Sequence, residues 1–159
     1  MFVVVRAIIY ATLFIGLLFI YLPGRLLAWS GVIRPAVIEA PQIAGMIICA
    51  AGTAIAFWCI FAFVFVGRGT PAPFDPPRRL VIRGPYRFVR NPMYIGAMVT
   101  LLGVALFYRS LSILIYACLF FLATHLFVIL YEEPKLRQLF GSEYEAYCRR
   151  VSRWWLKTN

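Results

Sequence analysis

This chain has little negative charge and almost no imidazole: six acidic residues face sixteen lysines and arginines, and His125 is the only histidine. Charged residues make up 14% of its 159 residues, 63% are hydrophobic, and mean hydropathy is +0.84. Soluble domains carry about 25% charged and about 45–50% apolar residues. The composition therefore excludes an ordinary water-soluble fold and predicts one membrane-embedded domain spanning residues 1–159. The four cysteines build no disulfide framework, since Cys49, Cys59 and Cys118 fall in apolar runs and Cys148 in a polar tail. No CxxC or Cys/His spacing suits zinc, so no metal is expected and the thiols read as small packing residues. No GxGxxG follows a strand pattern, which removes a soluble dinucleotide fold; Gly67-Arg68-Gly69 is an isolated GxG. Internal repeats and heptads are absent too.

What is present is a set of long apolar runs with cations beside them. Crossing a hydrocarbon core of ~30 Å takes about 20 apolar residues, and four runs qualify or nearly so: residues 2–22, 43–66, 93–107 and 111–131. The third is short, so either the bilayer thins there or the turn Tyr108-Arg109-Ser110 sits deep with Arg109 reaching outward. The first run lacks the basic leader and short apolar core of a signal peptide. The expected class is all-α: four transmembrane helices, a polar loop and an amphipathic helical tail.

The net charge of +10 is concentrated beside those runs. Arg68, Arg78, Arg79, Arg83, Arg87 and Arg90 lie between the second and third, and Lys135, Arg137, Arg149, Arg150, Arg153 and Lys157 follow the fourth. Arg25, Arg34 and Arg109 remain for the opposite loops, with Arg6 near the start. The positive-inside rule then puts both termini, the central loop and the tail in the cytoplasm. Such juxtamembrane clusters suit anionic lipid headgroups, Arg78 and Arg79 above all, and the pattern argues against nucleic acid.

Within the loop, the proline-rich stretch of residues 69–77 predicts extended or irregular backbone. Leu80-Val81-Ile82 predicts a short apolar touch-down, and Asn91-Pro92 the N-cap and first residue of the third span. That helix start, beside Arg87 and Arg90, favours an anion. In the tail, Glu132-Glu133-Pro134 is expected to close the fourth span. Leu136, Leu139 and Phe140 share a helical face, Gly141-Ser142 breaks the helix, and Tyr144, Tyr147 and Val151 continue the stripe. Trp154 and Trp155 are placed as interfacial anchors, and the tail is expected to fold back beside the loop.

Glu132 and Glu133 are the strongest chemical signal, because two carboxylates ending an apolar span are costly unless they meet cations or a donor-rich ligand. Two readings stand side by side: the acids fasten the tail to loop arginines, or they hold a ligand. His125, seven residues earlier on about the same helix face, is either a third candidate for proton transfer or a hydrogen-bonding strut. Gly45, Gly52, Gly96 and Gly103 suggest close helix packing.

Three stretches in this order give the chain a recognisable likeness: Gly84-Pro85-Tyr86-Arg87 with Arg90-Asn91-Pro92-Met93-Tyr94-Ile95-Gly96, then Glu132-Glu133-Pro134-Lys135-Leu136, then Phe140-Gly141-Ser142-Glu143-Tyr144-Glu145-Ala146-Tyr147. It resembles the integral-membrane methyltransferase superfamily of isoprenylcysteine carboxyl methyltransferases and phospholipid N-methyltransferases, particularly small bacterial members. The resemblance covers residues 80–155 and implies an S-adenosylmethionine site built from residues 80–96 and 131–155. On that implication Arg87, Arg90, Asn91 and the helix start at Pro92 hold the methionine end, and Tyr94, Leu136, Tyr144 and Tyr147 pack the adenosine. Tyr86 and Gly96 complete the cofactor set, while Glu132 and Glu133 take ribose hydroxyls or the ammonium. If the acceptor is an amine it must be neutral when it attacks, and Glu132, Glu133 and His125 are the candidates to accept its proton, directly or through water. Isoprenylcysteine enzymes have histidine where this chain has Asn91, and arginine shortly before the paired acids where it has Phe127-Val128-Ile129-Leu130. Both differences tilt the acceptor from a prenylcysteine carboxylate toward a phospholipid amine. Relatives close the tail with Val-Pro-Arg-Trp; this chain has Val151-Ser152-Arg153-Trp154.

Methyl transfer needs chiefly alignment, which suits a chain with so few acids and bases. The acceptor atom, nitrogen, oxygen or sulfur, stays open. Two other readings fit the basic loop: an NADPH-dependent reductase of the sterol type, and a non-catalytic lipid-binding scaffold gripping anionic headgroups.

Overall fold

The computed structural model describes residues 2–67 and 79–157. Arg68, Arg78 and the proline-rich segment lie outside the described residues. Helix α1 (Phe2–Ile15) passes through a π-helical turn (Gly16–Tyr21) into α2 (Leu22–Trp29). Helix α3 (Ala40–Ala62) ends in a similar turn (Phe63–Gly67), and a 3₁₀ turn (Gly84–Arg87) precedes α4 (Pro92–Tyr108). Helix α5 (Leu111–Phe127) continues through a third π turn (Val128–Glu132) into α6 (Glu133–Arg150). The described residues are otherwise irregular, apart from one parallel bridge between Val89 and Ser152.

Three continuous helices are long and apolar enough to cross a membrane: Ile8–Trp29, Ala40–Gly67 and Leu111–Arg150. The fourth expected span, α4, has 17 residues. At 1.5 Å per residue it rises ~26 Å, short of a ~30 Å core. Neither helix containing an internal proline stops where the sequence suggests. Proline cannot donate its backbone N–H and collides with the carbonyl four residues back, so Pro23 and Pro134 should end their helices. Instead each follows a wide turn, in which Leu22 N–H reaches Leu17 O and Glu133 N–H reaches Val128 O. The extra residue in the turn absorbs the proline, and the first helix runs on to Trp29 and the last to Arg150.

The tightest packing joins α3 and α4. Gly45 faces Gly103 and Gly52 faces Gly96, so the two backbones touch. A Cβ on Gly45 would lie 2.7 Å from Phe107 N, and one on Gly96 2.8 Å from Gly52 O. Helices in lipid gain attraction from such close approach, since lipid tails offer no hydrophobic drive to associate. At the end remote from the polar loop, Arg109 takes a left-handed conformation (φ 49°) to turn the α4–α5 hairpin and pairs with Glu39 at 3.0 Å. Ser110 caps α5 by accepting from Ile113 N. The first helix joins α5 at this same end, where Tyr116 Oη donates to Leu18 O at 3.0 Å and Phe19 meets Phe120 edge-on.

Replacing Gly103 by leucine would force the α3 and α4 backbones apart and is expected to cost ~3 kcal/mol or more. At Gly24 in α2 an added methyl group would meet nothing within 4 Å, so Gly24→Ala is expected to be neutral or to stabilise by up to about 1 kcal/mol. Thermal unfolding of both variants in detergent, followed by circular dichroism, checks the contrast.

Candidate active site

Beyond the apolar stretch that ends at Tyr131, the π turn delivers two adjacent acids to different surroundings. Glu133 is buried, 6% exposed, and is surrounded by guanidinium groups. Arg153 Nε and Nη2 donate to its two oxygens at 2.7 and 2.9 Å, and Arg90 Nη2 lies 3.2 Å from Oε1. Burial alone would raise this carboxyl, but the Arg153 hydrogen bonds and the charges of Arg90, Arg153 and Arg137 outweigh it and hold it below the ordinary 4.5.

Arg153 reaches Glu133 only because the tail bends. Twenty residues of straight helix would separate them by ~30 Å. Gly141, at φ 49° and ψ −124°, kinks α6, and Tyr144, Tyr147 and Val151 then pack with Leu80, Ile82, Leu136 and Phe140. The chain is pinned further where Arg90 N–H donates to Ser152 O at 2.9 Å, Tyr147 Oη to Tyr86 O at 2.7 Å, and Asn91 Nδ2 to Arg153 O at 3.4 Å. Arg90 also donates to Cys148 Sγ, yet its buried Nε has no partner among the described residues.

Glu132 has no ion-pair partner among the described residues. It accepts one hydrogen bond, from Tyr94 Oη at 3.2 Å. Burial pushes its carboxyl up, the Tyr94 hydrogen bond offsets part of that, and the charge of Glu133 adds to it, bringing it to about 7. One acid is thus held ionised as a structural clamp. Its neighbour is poised to gain or lose a proton near neutrality.

Two cavities meet here. The polar one, a narrow cleft of about 50 Å³, is lined by Phe63, Leu80, Val81, Tyr86, Arg90, Asn91, Met93, Tyr94, Val128, Glu132, Glu133, Leu136, Tyr144 and Tyr147. The other, of about 590 Å³, lies between α1, α3, α4 and α5 and is almost wholly apolar. Met93 and Tyr94 line both. Burial keeps the phenols of Tyr86, Tyr144 and Tyr147 protonated.

Of the residues singled out in the sequence, Tyr86, Arg90, Asn91, Tyr94, Glu132, Glu133, Leu136, Tyr144 and Tyr147 share the cleft. Arg87 is exposed, Pro92 is buried as the first residue of α4, and Gly96 is spent on α3 packing; none of the three lines it. Asn91 occupies the N-cap position without capping, its amide being turned to Arg153 O. His125 is also elsewhere: its Nδ1 accepts from Trp154 Nε1 at 3.0 Å beside Phe121, which ties the tail to α5. Trp154 is therefore a strut, and Trp155 stays exposed. Sequence reasoning passed over Arg153, whose role depends on the Gly141 kink. It also passed over Phe63, Met93 and Val128, which carry no polar signal.

Glu133→Gln would leave the partly buried guanidinium groups of Arg90 and Arg153 without their anion and is expected to destabilise by ~3 kcal/mol. Because the folded-state carboxyl lies below 4.5, its stabilisation is present above that pH and lost as pH falls through the folded value. Unfolding midpoints of the wild type and Glu133→Gln should converge on acidification.

No curated protein and no solved structure gives a match. The family model described as phospholipid methyltransferase matches residues 37–143, which include the α3–α4 pair, the loop, the paired acids and the start of the tail. With most of its length inside that match, and with helices fit to span a bilayer around the paired-acid site, the chain belongs to the phospholipid methyltransferase family of membrane proteins.

Proposed function

We propose that this protein transfers a methyl group from S-adenosylmethionine to an amine on a membrane-held amphiphile, with donor and acceptor meeting at Tyr94 and Glu132. One observation carries the reading: Tyr94 lines both cavities, and its hydroxyl is bonded to Glu132, the member of the acid pair that has no ion-pair partner among the described residues. A water-soluble donor and an apolar acceptor can therefore approach a common point from opposite sides.

The cleft suits the donor chemically. The unpartnered Arg90 Nε and the uncapped start of α4 offer N–H groups to a carboxylate. Tyr86, Tyr144, Tyr147 and Leu136 offer faces to an adenine, and Glu132 and Glu133 offer acceptors to hydroxyls or an ammonium. A volume of about 50 Å³ means that the walls formed by Leu80–Tyr86 and the tail part on binding. When bound, the donor supplies a methyl carbon on positively charged sulfur; the acceptor's lone pair bonds that carbon as the carbon–sulfur bond breaks, its electrons remaining on a neutral thioether.

An ammonium must first lose a proton to offer that lone pair. Glu132, brought to about 7 by burial, is the group placed to accept it, and its negative charge also attracts the incoming ammonium. A carboxylate acceptor would be repelled there. Glu133 holds the tail closed around the site, and His125 is occupied with Trp154. The family match supports methyl transfer over reductase or scaffold roles, and the twelve cations of loop and tail support a cytoplasmic site.

Purified protein incubated with methyl-labelled S-adenosylmethionine and membrane amphiphiles is expected to yield a labelled amine product. Activity should rise with pH through about 7 as Glu132 ionises. Glu132→Gln should lower kcat by ~10²- to 10⁴-fold and remove that limb of the profile. Saturable binding of NADPH, with none of S-adenosylmethionine, would overturn the proposal.

A further inference from the structure

Next to Glu132 lie two side chains to which methyl transfer has so far given no task. Along α5 the apolar chamber is walled by Phe120, Ala123, Thr124 and Phe127. Tyr131 extends that wall beyond the chamber: its ring stacks on Phe127, with 5.2 Å between centroids and 27° between planes. Lys135, in the first turn of α6, comes next. Its Nζ lies 5.2 Å from the centre of the Tyr131 ring and donates to Tyr131 Oη at 3.2 Å. One stripe of side chains thus runs from the chamber wall across two rings to an ammonium.

The ring face and the phenol oxygen together hold that ammonium in place. Lys135 stands three residues after Glu132, a spacing that keeps Cβ atoms ~5–6 Å apart on a helix. Yet the two do not turn to each other: Glu132 keeps to Tyr94, and Lys135 to Tyr131. A carboxylate and an ammonium are therefore set side by side on one continuous helix. In a lipid whose amine is joined to phosphate through two carbons, phosphorus lies four bonds from nitrogen, ~5 Å at single-bond lengths like those of the backbone. The two separations agree, and the signs are opposite at each end. An amine brought to Glu132 carries its phosphate to Lys135, whose compact charge suits that anion. Arg90 and Arg153 are turned to Glu133 instead.

Resting on the proposed methyl transfer at Glu132, we propose that Lys135, held by Tyr131, binds the phosphate of the acceptor lipid and so sets the lipid's amine against Glu132. Hydrocarbon lies in the chamber beside Phe127, the linker passes over Tyr131, and the headgroup turns across the helix from Lys135 to Glu132. Lys135 takes no part in moving the proton or the methyl group. It fixes the acceptor two carbons from the reacting nitrogen, so its contribution falls on acceptor binding.

The test gives full-length protein, in a phosphate-free maltoside detergent, labelled S-adenosylmethionine with either phosphatidylethanolamine or its methyl phosphotriester. The triester keeps the amine, spacer and chains but has no charge on phosphate. Wild type is expected to show a KM about tenfold lower for the charged lipid, the range of a hydrogen bond to a charged group. Lys135→Gln should raise that KM to the value for the triester, while donor affinity by equilibrium dialysis is unchanged, which also shows that the variant is folded. Lys135→Arg keeps the cation and should keep the preference. A preference that survives Lys135→Gln overturns the proposal. So does an equal loss on both acceptors, which would assign Lys135 to the fold or to surrounding lipid. Methylation of other amines in a membrane-lipid extract, with both test lipids refused, overturns the phosphate assignment and leaves methyl transfer standing. Absence of both donor binding and any methylated product removes the underlying reading as well.

Discussion

The site is organised around the carboxylate of Glu133. Three segments that the chain keeps far apart, the end of the loop, the start of α6 and the final turn of the tail, contribute Arg90, Glu133 and Arg153 to one buried cluster. A buried carboxylate is tolerable only with such partners, so the cluster dictates where the tail lies. Once the tail is there, Tyr144 and Tyr147 close one wall of the cleft and Trp154 reaches His125.

The neighbouring acid is different because of what the clamp leaves out. Both arginines are turned to Glu133, so Glu132 is partly buried without those cations and, among the described residues, has only the Tyr94 hydroxyl. Two identical side chains, adjacent in sequence, are driven in opposite directions by their surroundings. The π turn before them makes this possible by letting the helix run through Pro134, so that both acids remain on rigid backbone where polar cleft and apolar chamber adjoin.

Much of this was legible in the sequence. Apolar runs revealed the helices, Gly45, Gly52, Gly96 and Gly103 pointed to close helix packing without naming the partners, and the paired acids with Arg90, Tyr94 and the tail tyrosines marked residues that do converge. What was hidden depends on distant partners or on backbone detail. Pro134 looks like a helix terminator until a wide turn removes its clash. Arg153 looks like one more tail cation until the kink at Gly141 returns it to Glu133. Asn91 has the composition of an N-cap, yet a carbonyl of the tail competes for its amide. The apolar chamber leaves no local trace, because its lining comes from four helices and reads, residue by residue, as ordinary span.

A structure of the protein with S-adenosylhomocysteine, the demethylated form of the donor, tests the central claim most directly. The account predicts the ligand in the cleft with its carboxylate on Arg90 Nε and its sulfur facing the Tyr94–Glu132 pair. A ligand bound elsewhere, or one whose sulfur is walled off from the apolar chamber, would contradict it.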